Sequence, residues 1–253
     1  MIRVTIWNEF RQEKSSDAVR QVYPDGIHAE LARGLAADDL KIRTAVLDDP
    51  GQGLTDEILD STDVLIWWAH IAHHEVTDEN VRRVLQKIQT GMGLIVLHSG
   101  HYSKIFQGVC GTSCSLKWRE SGEKERLWCI APFHPIARNV PETFCIPHTE
   151  MYGERFDIPD DARPIFMSWY QGGEVFRSGV TLQRGYGKIF YFSPGHESFP
   201  IYRQPKVLQV IGNAVRWAAP ECRGTISAPK VPNLEPISND AETKDKKDDN
   251  PTI

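Results

Sequence analysis

The apolar positions of the chain switch repeatedly between two periods. Residues 3–7 alternate and run into the polar pair Asn8-Glu9, which predicts a strand with a polar end. A polar loop follows to Tyr23. Pro24-Asp25-Gly26 then opens a helix with Ile27, Leu31 and Leu35 at helical spacing and His28 in its first turn. Residues 40–47 predict a second strand ending at Asp48-Asp49, and Pro50-Gly51-Gln52-Gly53 is a loop. Thr55 caps a short helix whose first turn holds Asp56 and Glu57, where acidic groups suit the helix dipole. Residues 63–69 are an almost continuous apolar run, as in strands buried on both faces, and end in His70. A helix from Thr77 gathers Val81, Val84, Leu85 and Ile88 on one face and closes at Gly91. Residues 93–97 form a fourth strand that runs straight into His98-Ser99-Gly100-His101. The order βαβαβαβ predicts an α/β fold with a doubly wound parallel sheet.

Between residues 103 and 164 the periodicity fades into a segment rich in Trp, Pro, Cys and charge, with weak strands near 127–130 and 143–147. It reads as an inserted loop region that roofs the sheet edge. Regular strands resume at 164–169, 174–182 and 188–192, the last delivering Pro194-Gly195-His196-Glu197. A helix over about 204–218 presents Val207, Leu208, Ile211 and Val215. The composition changes after Pro220. One domain is therefore expected over 1–219, followed by a Pro- and charge-rich tail over 220–253 whose run 240–249 is expected to be disordered on its own.

Composition narrows the function classes. The chain has 253 residues and a net charge of −5, with no basic stripe, so nucleic acid and anionic membranes are not expected partners. The longest apolar run, residues 64–69, is far short of the roughly 20 residues that span a bilayer. The N-terminus enters a strand pattern without a signal-peptide layout, and five cysteines in no regular framework fit free thiols. A cytoplasmic protein is expected. Cys110 and Cys114 form a lone C-x3-C pair, too few ligands for structural zinc.

The chemistry lies in the histidines. Nine are present. His70, His73 and His74 follow the third strand, His98 and His101 the fourth, and His196 the last. His28 begins the helix after the first strand, so it faces the same edge. In open α/β sheets ligands bind outside the carboxyl ends of the strands. Imidazoles with Glu150 and Glu197 around one crevice suit a divalent metal, zinc above all, or general acid–base work near neutral pH. His28, His98, His148 and His196 are the candidate metal ligands. His148 and Glu150 share a side of an extended segment, which makes Glu150 a candidate general base or extra ligand. A hydrogen-bonded polar network without metal is the plainer alternative. Ser99 is a candidate nucleophile, but it lacks the G-x-S-x-G pattern of a nucleophile elbow. The catalytic candidates are thus His98, Ser99, His101, Glu150 and Glu197.

Several stretches together carry a family resemblance: Trp7-Asn8-Glu9, Tyr23 to His28, Gly93 to His101, Cys114 to Glu120, Glu150 to Glu154, Gly173 to Gly179 and Phe190 to Glu197. Over roughly residues 1–219 the chain resembles the ThuA-like, or trehalose utilization, family. The resemblance implies a fold similar to class I glutamine amidotransferases, a flavodoxin-like three-layer sandwich with a mostly parallel sheet. It sets His98 where those enzymes carry a cysteine nucleophile, which argues against thiol chemistry, and His196 at their last-strand histidine, close to His98. It also implies a small-molecule sugar substrate, trehalose or its 3-keto derivative. Trp118, Arg119, Tyr152 and Arg177 are candidate substrate-binding residues. Trp118, Tyr152 and Trp169 offer faces for a sugar ring; Arg119 and Arg177 either bind hydroxyls or pair with Glu120 and Glu174. The expected function is a metal-assisted sugar enzyme, and a homo-oligomer is expected. The rival functions are an amidotransferase-like hydrolase using Ser99 and a non-catalytic carbohydrate-binding module.

Overall fold

A computed structural model describes residues 1–225 and 227–237. The charged run at 240–249 lies outside the described residues. Nine strands form one sheet: β1 (Ile2–Asn8), β2 (Leu40–Val46), β3 (Val64–Trp68), β4 (Gly93–Leu97), β5 (Lys117–Cys129), β6 (Thr143–Gly153), β7 (Arg163–Tyr170), β8 (Val175–Arg184) and β9 (Gly187–Phe192). The α-helices are α1 (Gln12–Ser15), α2 (Asp17–Val22), α3 (Ile27–Gly34), α4 (Asp56–Asp60), α5 (Asp78–Gln89), α6 (Lys104–Cys110) and α7 (Pro205–Ala218). The strand order is β2-β1-β3-β4-β9-β8-β7-β5-β6.

The sheet has two halves. The pairings from β2 through β1, β3 and β4 to β9 are parallel. Those from β9 through β8, β7 and β5 to β6 are antiparallel. The expectation of a mostly parallel sheet therefore holds only for the first half. The supposed roof over 103–164 also needs correction, because α6, β5 and β6 are built from it and extend the sheet. Its pattern misleads because the inward positions of β5 include buried Glu123 and Glu125 as well as Leu127, so alternation of burial does not show as alternation of hydropathy. The polar loop before Tyr23 holds the short helices α1 and α2; Ser16 caps the second by accepting from the Val19 N–H.

In the parallel half the strands are buried on both faces. Ile6, Ile66, Ile95 and Leu97 face α3 and α7, which contribute Ile27, Leu31, Val207, Ile211 and Val215. Trp7, Trp67, Leu94 and Val96 face the other way, toward Val84 and Ile88 of α5 and Phe106 of α6. Burial of each such aliphatic side chain contributes about 1.5–3 kcal/mol relative to exposure. This three-layer packing fixes the carboxyl ends of β1, β3, β4 and β9 as a rigid edge. Among the described residues no helix is long and apolar enough to cross a membrane.

Candidate functional site

At the end of β4 the chain turns sharply into a 3-10 helix at His98–Tyr102. His98 sits at the turn with φ +46°, in the left-handed region. Such a conformation costs a non-glycine residue about 1–3 kcal/mol and is held only where the surroundings dictate it. Here they do. The His98 Nδ1–H donates to the Ser193 carbonyl at 2.9 Å, its ring stacks on Tyr152 with centroids 4.8 Å apart, and the residue is buried. Gly195 leaves the room, since a Cβ there would stand 2.8 Å from His98 Cβ and 2.1 Å from the Tyr202 hydroxyl.

The far half of the sheet reaches over this elbow. Strand β6 places Glu150 Oε2 3.2 Å from His98 Nε2, and Tyr152 Oη 3.3 Å from the same nitrogen. The His196 ring, beyond β9, lies 5.5 Å from the His98 ring. Burial works against charge on His98, but the adjacent Glu150 outweighs it and raises the imidazole above its ordinary pKa. Burial likewise works against ionised Glu150, and the hydrogen bond from His98 lowers it below the usual carboxylate range. Both directions describe one tightly held proton between the two groups. By contrast, burial, helped by the charge of His98, lowers His196 to about 4, so this ring is neutral.

Glu150, Tyr152 and His196 line a cavity of about 570 Å³ together with His70, His73, Ser99, His101, Tyr102, Ser115, Leu116, Trp118, Glu120 and Glu197, and His98 is packed behind Glu150 and Tyr152. That volume falls within the ~300–1,000 Å³ of small-molecule sites. Its walls are braced from beneath. The buried Glu9 carboxylate accepts the backbone N–H groups of His70, Ile71 and Ala72 at 2.8, 2.8 and 3.0 Å, which fixes the loop after β3. Gln12 bridges His70 and Glu197.

The remaining candidates are placed as follows. His101 is buried and donates from Nδ1 to the Cys114 carbonyl at 2.7 Å; burial lowers it to about 4. Ser99 donates its hydroxyl proton to the Ala69 carbonyl at 2.8 Å, so it braces the loop after β3. Arg119 is held by Glu123 and Glu174, and Arg177 by Glu154 and the Phe156 carbonyl, so neither guanidinium is directed into the cavity lining. Trp169 lies outside it under Lys124. His28 accepts from the Asn8 side chain at 2.9 Å and packs edge-on against Phe10. His148 is exposed on β6 and bonds the Gly122 carbonyl. Pattern reading missed Tyr102, Leu116 and Gln12; the signal available for Tyr102 was its place four residues past His98 in the same turn.

Among the described residues, the group that offers metal donors in common is His98, Glu150 and His196, with ligand atoms within 4.8 Å of one another. His28 and His148 do not join it. His98 suits a metal, because its Nδ1–H is held by a carbonyl and Nε2 is presented. Glu150 suits one as well. His196 does not: its Nδ1 accepts the Ser198 N–H at 2.9 Å, so the neutral ring carries its proton on Nε2 and presents a donor, not a lone pair. Two protein donors fall short of the three that a catalytic zinc site uses.

The fold is an α/β sandwich around a mixed sheet, with a histidine at the elbow after β4. The sequence profile described as ThuA, trehalose utilisation, matches residues 3–218, and the chain belongs to that family. No curated relative matches it. A ThuA-like protein from Parabacteroides merdae superposes with a TM-score of 0.63 at 14% identity, covering 90% of this chain and 93% of that one. A cytoplasmic protein from Salmonella typhimurium gives 0.60 at 12%, covering 87% and 100%. PurLQS from Thermotoga maritima gives 0.53 at 14%, covering 85% and 98%. These likenesses concern the fold.

Proposed function

We propose that the protein is an enzyme of sugar metabolism that moves protons on a disaccharide or its 3-keto derivative. The family supports the sugar class. The observation that carries the chemistry is the His98–Glu150 pair, 3.2 Å apart, in which Glu150 lines the cavity and His98 backs it, with the His98 ring locked by the Ser193 carbonyl.

A keto-sugar has acidic C–H bonds beside its carbonyl. Glu150 accepts such a proton, and the adjacent His98 Nε2–H returns one to the oxygen. His196, with Nδ1 already accepting a backbone N–H, presents Nε2–H to the oxyanion as it develops. Isomerisation or elimination follows from that start. No step is assigned to a metal, because His196 offers the wrong protonation state for one. Positioned acid–base groups of this kind supply about 10²–10⁴-fold.

Incubation of the protein with trehalose and with 3-keto-trehalose, before and after dialysis against a chelator, tests the reading. Conversion of the keto-sugar that survives the chelator supports it. Unchanged sugars count against the function, and activity lost to the chelator and restored by zinc returns the metal to the site.

A further inference from the structure

The cavity is layered. Its floor, formed by Glu150, Tyr152 and His196 with His98 packed behind them, is buried or nearly so. Its rim is not. Trp118 keeps 66% of its surface exposed and Tyr102 53%, although both line the cavity. The indole leaves most of its surface in water, and the phenol packs only edge-on, against His73 and His101. Each is nevertheless firmly based. Trp118 stands on β5 opposite Tyr152 in the β5–β6 register, and the next residue, Arg119, is anchored by Glu123 and Glu174. Tyr102 ends the 3-10 helix that begins at His98, with its ring 6.0 Å from that of His101. Two rigidly mounted aromatic faces thus border an opening whose depth is ionisable.

A pyranose matches this division. Its hydroxyls lie at the edge of the ring, and its C–H groups form a weakly positive face that complements the negative face of an aromatic ring. Trp118 and Glu120 lie two apart on β5 and both line the cavity, so a stacking face and a carboxylate that accepts hydroxyl protons are presented side by side.

We propose that Trp118 and Tyr102 form an outer subsite that stacks the second, non-reacting pyranose of a disaccharide while the first reaches His98 and Glu150. This rests on the sugar reading above and adds to it that the enzyme selects two-ring over one-ring substrates at the rim. Loss of one stacking face weakens disaccharide binding about tenfold at most.

The test uses the full chain carrying Glu150→Gln, which disables the chemistry, with and without Trp118→Ala or Tyr102→Phe and Tyr102→Ala. Calorimetric titration with trehalose and with glucose gives the two affinities. The expected result is a preference for trehalose of about tenfold or more that is largely lost with Trp118→Ala, falls with Tyr102→Ala, and is kept by Tyr102→Phe, which retains the ring. A trehalose preference unaltered by Trp118→Ala, or equal loss of both sugars, overturns the subsite and leaves the proton-transfer reading standing. Failure of both sugars to bind the chain with its rim intact overturns both.

Discussion

The parallel and antiparallel halves of the sheet divide the work differently. The parallel half supplies rigidity: β1, β3 and β4 are packed on both faces, and β4 ends in the strained elbow that carries His98. The antiparallel half supplies reach: β6 brings Glu150 and Tyr152, and β5 brings Trp118 and Glu120. Neither half holds a working set alone. The proposed chemistry exists only because β9 joins them, with Ser193 just beyond it fixing the His98 ring and His196 following.

The sharpest way to break this division is to remove one member from each half. Glu150→Gln preserves volume and hydrogen bonding but cannot take a proton, and His98→Asn removes the partner. Each is expected to lower turnover about 10²–10⁴-fold, and the double variant scarcely more than either, because they act as a pair. Steady-state kinetics on a keto-sugar checks this; a multiplicative loss would show that the halves act separately.

Gly195→Ala probes the junction. The added methyl must displace His98 or the buried Tyr202. A loss of about 1–3 kcal/mol in stability is expected, together with reduced turnover. Urea unfolding and kinetics on the same sample measure both; a variant that loses neither would show that the elbow has slack.

The antiparallel half also holds a polar group in its interior. Glu125 on β5 is fully buried with Ser168 and Tyr170 donating to it, and burial pushes its carboxyl up to about 7 from 4.5. The folded chain therefore keeps a proton that the unfolded chain gives up above pH 4.5. Stability falls as pH rises from there to about 7, by about 3 kcal/mol at most. Glu125→Gln should remove that part of the pH dependence, gaining stability at pH 8 and none at pH 4. Unfolding midpoints across that range test it, and parallel curves for the two proteins would contradict it.

The same contrast explains what the sequence revealed. Strands β3 and β4 read plainly as apolar runs because both faces are buried, and the strand-end histidines mark the edge that they share. Within residues 117–153 only weak strands near 127–130 and 143–147 were legible, short of the full β5 and β6, since the inward positions include Glu123, Glu125 and Thr149, whose burial depends on partners far along the chain. Glu150, His98 and His196 were legible as a group from strand ends and family resemblance. That His28 stands on Asn8 and that His196 has its proton on Nε2 follow from hydrogen bonds that no spacing encodes.

The smallest effects should come from the two arginines. Arg119 and Arg177 are saturated by Glu123, Glu174 and Glu154, so Arg177→Ala is expected to change stability by about 1 kcal/mol and the KM for a sugar little. A large rise in KM would mean that the Glu154 pair opens to bind substrate.

The most direct test of the central claim is hydrogen exchange at the sugar itself. With 3-keto-trehalose in D2O and chelator present, NMR should show the protein accelerating incorporation of deuterium at carbon next to the carbonyl, and Glu150→Gln abolishing the acceleration. Exchange at the same rate with the variant, or no exchange above the buffer rate with the unaltered protein, would contradict the assignment of Glu150 and His98 as a proton-transfer pair.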